Sequence, residues 1–227
     1  MNVVYSMTRN VYHTVLPSIR SLHAVPPDAK VFIVCEDSVF PIDLPMETTV
    51  INVSGQKIFP RGSVNYDNRF KYINLLKVCY PSILPVDRVI HLDTDTIVCD
   101  SLDQMWNTDV DGKWFAACPE HKGSYRPFGD IYYNMGVALI NLEQMRQDNA
   151  EGPLVWYLNH VKQPWADQDA WNLFGMALDK VVPFHTRFNE SVMTGESSHP
   201  VIVHYCSIPD WWTNKNMYRY ELLERWK

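Results

Sequence analysis

The sequence predicts an α/β fold in which helices cover a mostly parallel sheet. Short apolar strands alternate with helical segments in the first half of the chain, which is the strand–helix–strand pattern of a parallel sheet. One apolar strand ends abruptly in two aspartates, Asp93 and Asp95, as expected at the ligand-binding edge of such a sheet. At 227 residues, the chain is long enough for one domain with a sizeable core.

Hydrophobic periodicity assigns the individual elements. Asn10 is placed to cap the first helix, and Pro17 is expected to kink or shorten it. Strands are recognised by runs of Val, Ile and aromatic residues between turn residues. The predicted strands are 2–6, 31–35, 48–53, 89–92, 114–118, 132–142 and 200–206, and the predicted helices are 11–22, 69–80, 101–106, 153–161 and 166–174.

The two aspartates suit a metal–diphosphate site. Residues two apart on a strand point the same way, so the Asp93 and Asp95 carboxylates lie side by side and repel each other unless a cation sits between them. Mg²⁺ and Mn²⁺ prefer such oxygen ligands and keep positions open for substrate phosphates. Paired acids at strand ends are also common as solvated turn residues. Apolar segments on both sides of this pair favour the metal site.

Several other residues have both a structural and a functional interpretation. Gly136, inside a strand, indicates either close approach of a ligand or room for a neighbouring side chain. Asp167 and Asp169 begin a helix, where acids are favoured by the helix dipole alone. His204 ends the last strand, and a lone histidine there is more often a core residue than a ligand.

Composition limits the class of protein. The net charge of −6 argues against an extended nucleic-acid groove. Five scattered cysteines without a Cys-x-x-Cys pair indicate reduced thiols and a cytoplasmic location. No apolar run is long enough for a transmembrane helix, and the chain opens directly into a strand without a signal-peptide pattern. The basic, aromatic tail from 215 to 227 is expected either to rest on the membrane inner face or to pack on the domain as an ordinary helix.

Four segments together resemble glycosyltransferase family 8, which includes glycogenin and bacterial lipopolysaccharide galactosyltransferases. They are Arg-Val-Ile-His-Leu-Asp-Thr-Asp-Thr-Ile-Val (88–98), Tyr-Asn-Met-Gly-Val-Ala-Leu-Ile-Asn-Leu (133–142), Asp-Gln-Asp (167–169) and Val-His-Tyr-Cys (203–206). The resemblance covers nearly the whole chain. It implies one GT-A domain over 1–227, with a small antiparallel extension, a nucleotide-binding half (1–110) and a sugar and acceptor half (111–227).

The resemblance also implies a UDP-sugar donor, Mn²⁺ (or Mg²⁺) and retention at the anomeric carbon. The metal ligands carried over are Asp93, Asp95 and His204. The expected donor contacts are Ser6, Thr8, Arg9, Asn10, Lys71, Thr94, Asn134 and Asp169, with Arg69 and Lys77 as alternatives to Lys71. Asp167 and Gln168 are the expected catalytic residues, with Gln168 beneath the anomeric carbon.

Two mechanisms remain open at this point. An amide is a poor nucleophile, so we favour a front-face reaction in which a diphosphate oxygen takes the proton of the acceptor hydroxyl. Double displacement through an enzyme adduct is the alternative. The expected reaction moves glucose or galactose to a saccharide or glycolipid. Two hypotheses compete with this one. In the first, the same transfer is made to a protein side chain or a modified nucleobase, and in the second, the protein is a degenerate binder of sugar nucleotides.

The sequence departs from the family pattern after His204. Ser207 stands where the family has glycine, and Asp210 stands where it has a lysine that contacts the diphosphate. A negative charge there is unfavourable, so we expect Asp210 to turn away or Lys215 to supply the charge.

Overall fold

The structure is a computed structural model that describes residues 1–25, 28–67, 71–121, 131–208 and 210–227. The strands are β1 (Asn2–Ser6), β2 (Lys30–Cys35), β3 (Thr48–Asn52), β4 (Arg88–Leu92), β5 (Thr96–Val98), β6 (Phe115–Pro119), β7 (Tyr133–Asn141), β8 (Val181–Pro183) and β9 (Ile202–His204). The helices are α1 (Leu16–Ala24), α2 (Lys71–Leu75), α3 (Tyr80–Ile83), α4 (Asp103–Trp106), α5 (Leu142–Gln147), α6 (Glu151–His160), α7 (Asp167–Ala177) and α8 (Tyr220–Trp226).

Seven strands form one sheet in the order β3-β2-β1-β4-β7-β6-β8. β1, β2, β3 and β4 run parallel, β7 runs antiparallel to both of its neighbours, and β8 is parallel to β6. The predicted mostly parallel sheet is therefore confirmed. The chain passes from β1 outward to β3 and then returns to place β4 on the other side of β1. Ligands of such sheets bind at this reversal, beyond the carboxyl ends of the strands.

Apolar side chains cover both faces of the sheet. Along β1, Val3 and Tyr5 are buried in one cluster with Ile19 and Leu22 of α1, whereas Val4 is buried in the opposite cluster. This alternation is the two-residue period of a strand buried on both sides.

A second, two-stranded sheet pairs β5 with β9 in antiparallel register. It is the predicted antiparallel extension, and it brings His204 opposite Thr96, next to the aspartate pair. The tail packs over it: α8 contacts α1, and Arg20 donates hydrogen bonds to the carbonyls of Trp226 and Lys227. No helix in the described parts of the chain has the length and apolar character to cross a membrane.

The elements differ from the sequence expectations in several places. α1 begins only at Leu16, because Pro17 occupies the first turn, where its missing N–H is tolerated. The predicted helix over 69–80 is divided into α2, a 3₁₀ turn at Leu76–Cys79 and α3, since Pro81 cannot donate to a carbonyl of the preceding turn. β8 was not predicted, because three residues ending in proline carry too weak a strand pattern.

Candidate active site

A cleft of about 390 Å³ opens at the reversal point of the sheet. Ser6 at the end of β1 and the Asp93–Asp95 pair after β4 lie on its walls, as the strand pattern predicts. Its volume falls within the range of small-molecule sites. The remaining walls come from both halves of the chain, from Lys71 and Lys77 as well as from Asn134 and Asp167.

Asp93, Asp95 and His204 converge on one point of this cleft. One ligand atom from each lies within 4.8 Å of the other two. The Nε2 atom of His204 is 3.2 Å from Oδ1 of Asp95 and 3.9 Å from Oδ2 of Asp93. Two carboxylates and an imidazole are ligands that Mn²⁺ and related divalent ions accept. The sequence prediction of these three residues as one cluster agrees with this geometry.

Hydrogen bonds set the orientation of the His204 ring. The carboxylate of Glu120 accepts from the Asn134 amide (2.8 Å), so the Asn134 oxygen is left to accept from the Gly136 N–H (3.1 Å) and the Asn189 amide (2.9 Å). The Asn189 oxygen then accepts from Nδ1 of His204 (2.9 Å). This order leaves the lone pair of the neutral ring on Nε2, pointing at the two aspartates.

The orientation of His204 favours a cation between its Nε2 atom and the carboxylates of Asp93 and Asp95. Nε2 of His204 is buried and has no hydrogen-bond partner in the described part of the chain, despite its proximity to Asp95. Burial lowers the pKa of His204, but Cys206 and Asp95 raise it more, so the net pKa lies well above the ordinary value. Without a cation, a proton on Nε2 would relieve the repulsion. A divalent ion can take the place of that proton, so the residues present fit a metal ion.

Gly136 makes room for this cluster. A Cβ added there would lie 2.1 Å from Cε1 of His204 and 2.8 Å from Oδ2 of Asp93. Of the two interpretations of this glycine, the structure therefore supports room for neighbouring side chains, and those side chains are two of the candidate ligands. The carbonyl of Gly136 also accepts from the Asp93 N–H (2.7 Å), which joins β7 to the acid-bearing loop.

Lys77 is the buried cation of the site. Its ammonium lies 2.8 Å from Oδ1 of Asp93 and 4.0 Å from Oδ2 of Asp167. Burial lowers the pKa of Lys77, but the two carboxylates raise it more, so the side chain stays charged. For Asp167, burial raises the pKa to about 7 against the opposing effect of Lys77. The Oδ2 atom of Asp167 has no hydrogen-bond partner in the described residues, and the side chain lines the cleft.

Gln168 lies beside Asp167 on the same wall. Its Oε1 accepts from the Met135 N–H (2.9 Å), and its Nε2 lies 3.4 Å from Oε1 of Glu120. Trp165 also lines the cleft here. Neither Glu120 nor Trp165 was predicted. Glu120 follows β6, whose carboxyl end meets the same sheet edge as Asp93, so the strand-end rule could have found it.

Most of the predicted donor contacts line the cleft. Those that do are Ser6, Thr8, Asn10, Lys71, Thr94 and Asn134, and the two predicted catalytic residues, Asp167 and Gln168, line it as well. Arg69 lies outside the described residues, so its predicted role cannot be placed.

Arg9 and Asp169 are directed elsewhere. The Arg9 guanidinium is held by Asp37 at 2.6 Å and is absent from the lining of the cleft. Asp169 is fully buried, where it accepts from the Tyr132 hydroxyl (2.7 Å) and the Trp165 N–H (2.8 Å). Residues two apart on a helix face different ways, so Asp169 cannot share the orientation of Asp167. The contacts of Asp169 therefore hold Tyr132 and Trp165 in place and do not reach into the cleft.

The departures after His204 are accommodated by the backbone. Ser207 has φ +62°, the left-handed conformation that glycine adopts readily. Asp210 is exposed with φ +51°, and neither it nor Lys215 lines the cleft. The expectation that Asp210 turns away agrees with this position.

Comparison with known proteins identifies relatives. The sequence profile described as glycosyl transferase family 8 matches residues 2–215. A putative glycosyltransferase of Haemophilus influenzae is 26% identical over 69% of this chain and 52% of its own length. General stress protein A of Bacillus subtilis is 23% identical over 60% of this chain and 56% of its own length. The chain thus spans about half the length of these curated relatives.

Solved structures share the fold. The galactosyltransferase LgtC, in complex with donor and acceptor sugar analogues, superposes with a TM-score of 0.81 at 20% identity, covering 99% of this chain and 94% of LgtC. The glycosyltransferase GlyE of Streptococcus pneumoniae gives 0.76 at 16% identity, covering 99% and 59%. Mouse xyloside xylosyltransferase 1 gives 0.67 at 18% identity, covering 91% and 98%.

Proposed function

Because the chain belongs to glycosyltransferase family 8 and has the GT-A fold, we propose that it transfers a hexose from a UDP-sugar to a saccharide or glycolipid acceptor. The observation that carries this proposal is the convergence of Asp93, Asp95 and His204 beside a cleft at the sheet reversal. Glucose and galactose are the proposed sugars, and the reaction retains the anomeric configuration.

The three converging residues would hold Mn²⁺ or Mg²⁺. The bound ion supplies Lewis-acid stabilisation of the departing diphosphate. The unpaired Nε2 of buried His204 supports this assignment, and Gly136 leaves room for the His204 and Asp93 side chains to converge. Asn189 keeps the ring in the tautomer that ligation needs.

The N-terminal wall would bind the nucleotide. Thr8, Asn10 and Thr94 offer hydroxyl and amide groups there. Lys77, rather than Lys71, is the proposed basic donor contact, because its ammonium is buried between Asp93 and Asp167 at the heart of the cleft. Lys71 is exposed at the cleft wall.

The opposite wall would hold the transferred sugar. Asp167 has a free buried oxygen to accept from a sugar hydroxyl, and Gln168 is fixed by the Met135 N–H with its amide group directed to the same region. Gln168 is an amide and has no nucleophilic oxygen anion. We therefore propose the front-face route, in which a diphosphate oxygen accepts the proton of the attacking hydroxyl.

The acceptor would pack against apolar side chains of the cleft. Trp165 and Met193 line it and supply surface of the kind that packs against sugar rings. LgtC, bound to donor and acceptor sugar analogues, supports a saccharide acceptor for a chain of this fold.

The test is release of UDP from a panel of UDP-sugars with and without Mn²⁺. The panel should include glucose, galactose, galacturonic acid and xylose, since the relatives include a probable galacturonosyltransferase-like protein and a xylosyltransferase. We expect Mn²⁺-dependent release with one hexose donor and a fall of more than about 100-fold in Asp95→Asn, which removes a ligand charge.

The matched control is Asp100→Asn, which removes an exposed carboxylate outside the cleft on the same segment. It should retain wild-type release. Absence of Mn²⁺-dependent release with every donor, in a folded protein that still binds UDP, would favour the degenerate binder. Absence of UDP binding as well would contradict the family-based function for this chain.

A further inference from the structure

A chain of buried hydrogen bonds joins the nucleotide wall to the proposed metal site. The hydroxyl of Ser6 lies 2.5 Å from the hydroxyl of Tyr80, which lies 3.1 Å from Nδ1 of His91. The other ring nitrogen of His91, Nε2, lies 2.9 Å from Oδ1 of Asp93. Ser6, Tyr80 and His91 are all nearly inaccessible to solvent. We refer to these four residues as the relay.

The direction of every bond in the relay follows from its last member. The Asp93 carboxylate also accepts from the Lys77 ammonium, so it is ionised and can only accept. His91 must therefore donate from Nε2, and in the neutral ring its Nδ1 accepts from the Tyr80 O–H. The single Tyr80 proton is then used, so the bond to Ser6 requires the Ser6 O–H to donate to Tyr80.

The neutral state of His91 is favoured by its surroundings. The ring is buried, and the Lys77 ammonium on the same carboxylate oxygen disfavours a positive charge beside it. A divalent cation at Asp93 would oppose a second charge on the ring further. The bond order therefore holds whether or not the metal is bound.

One consequence concerns Ser6. Its proton is committed inward to Tyr80, so the oxygen can offer only lone pairs to the cleft that it lines. A group that binds Ser6 must be a hydrogen-bond donor, and uridine offers such donors at N3–H of the base and at the ribose hydroxyls.

We propose that Tyr80 and His91 are positioning residues that couple nucleoside binding at Ser6 to cation binding at Asp93. This inference rests on the proposed function, because it assumes that a uridine nucleotide and a metal ion occupy the cleft together. A donor group on Ser6 strengthens each bond of the chain and so fixes the orientation of the Asp93 carboxylate. This fixed orientation is what favours the cation, since polarisation alone would make the carboxylate a weaker ligand. By the same bonds, His91 and Lys77 both hold Oδ1 of Asp93, which leaves Oδ2 directed toward His204.

The experiment uses uridine, because it lacks the diphosphate that would itself contact the metal. Mn²⁺ affinity is measured by electron paramagnetic resonance with and without saturating uridine. We expect uridine to tighten Mn²⁺ binding by roughly fivefold in the wild-type chain, at the lower end of common coupling factors. In Tyr80→Phe and in Ser6→Ala the factor should fall to about one, because each removes one link of the relay.

Tyr5→Phe is the matched control. Its hydroxyl is buried in the opposite core cluster and pairs with Ser18 at 3.0 Å. That chain continues through Thr96 to the backbone carbonyl of Asp93 and not to its carboxylate, so Tyr5→Phe should keep the wild-type factor. A factor of one in the wild-type chain, or an unchanged factor in folded Tyr80→Phe, would overturn the relay. Uridine analogues then identify the donor: loss of coupling with 3-methyluridine assigns the base, and loss with 2′-, 3′- or 5′-deoxyuridine assigns that ribose hydroxyl. Coupling kept with all four would overturn the assignment of Ser6 as an acceptor.

The relay and the proposed function fail differently. If UDP and Mn²⁺ bind together tightly but uridine has no effect on Mn²⁺, only the relay is wrong. If neither UDP nor Mn²⁺ binds the wild-type chain, the proposed function is wrong, and the relay with it.

Discussion

Replacement of Gly136 with alanine should disrupt the proposed metal site while leaving the fold largely intact. The new Cβ would lie 2.1 Å from Cε1 of His204, so the ring must retreat by about 1.4 Å to reach a normal carbon–carbon contact. The same atom lies 2.8 Å from Oδ2 of Asp93, so a second ligand must shift as well. Metal–ligand distances tolerate deviations of only about 0.2 Å. We therefore expect Mn²⁺ affinity to fall by more than about 100-fold, beyond the usual effect of residues that merely orient a ligand.

The assay pairs Mn²⁺ titration with urea unfolding. Overpacking should lower the free energy of unfolding by about 1–3 kcal/mol, which leaves a folded protein to titrate. Gly152→Ala on α6 is the control: apart from its chain neighbours nothing lies within 4 Å of the added Cβ, so Mn²⁺ affinity should stay at the wild-type value, and the following Pro153 leaves no gain in helix stability. Mn²⁺ affinity within threefold of wild type in a folded Gly136→Ala protein would refute the assigned ligand geometry.

Three further substitutions separate roles that the structure assigns to neighbouring residues. Lys77→Met should lower the rate of sugar transfer by more than about 100-fold, whereas Lys71→Met should lower it by less than about tenfold. The difference is expected because, of these two lysines, Lys77 is the one buried beside Asp93 and Asp167. Equal losses in steady-state kinetics would contradict this. Glu190→Gln breaks the ion pair with Arg219 and should lower the free energy of unfolding by about 2 kcal/mol in denaturant titration. The loss is smaller than for a fully buried ion pair because Arg219 can regain water. No change would mean that the ion pair contributes nothing to stability. Ser207→Gly should raise the free energy of unfolding by about 1 kcal/mol, because it relieves a left-handed φ of +62°; a loss of stability would indicate that the hydroxyl matters more.

The sequence predicts the parts of the site that depend on local spacing. Asp93 and Asp95 are two apart at a strand end, so their shared face follows from the period of a strand. The parallel order of the first strands follows from the helix between them. His204 lies over a hundred residues away, and only the family resemblance connected it with the acids.

The remaining site residues depend on packing that no local pattern encodes. Lys77 falls on a helical stretch that also contains Lys71, and only the tertiary fold shows that Lys77, and not Lys71, is buried beside Asp93. Arg9 was expected at the nucleotide, but Asp37 at the end of the neighbouring strand β2 binds its guanidinium. Asn189 and Tyr80 are ordinary polar and aromatic residues in sequence, and their roles arise from the atoms they meet.

One short ladder determines whether the site exists. β9 has only three residues, and its register pairs His204 with Thr96, directly after the aspartates. The Tyr205 N–H extends this ladder by donating to the Asp95 carbonyl at 2.9 Å. A slip of one residue would turn the His204 ring to the opposite face. The His204 N–H is also held by the carbonyl of Glu190 (2.8 Å), whose buried carboxylate binds Arg219 of the tail. The tail therefore helps to hold the β5–β9 register that places His204, the third proposed ligand, beside the aspartates. It does so without lining the proposed metal site.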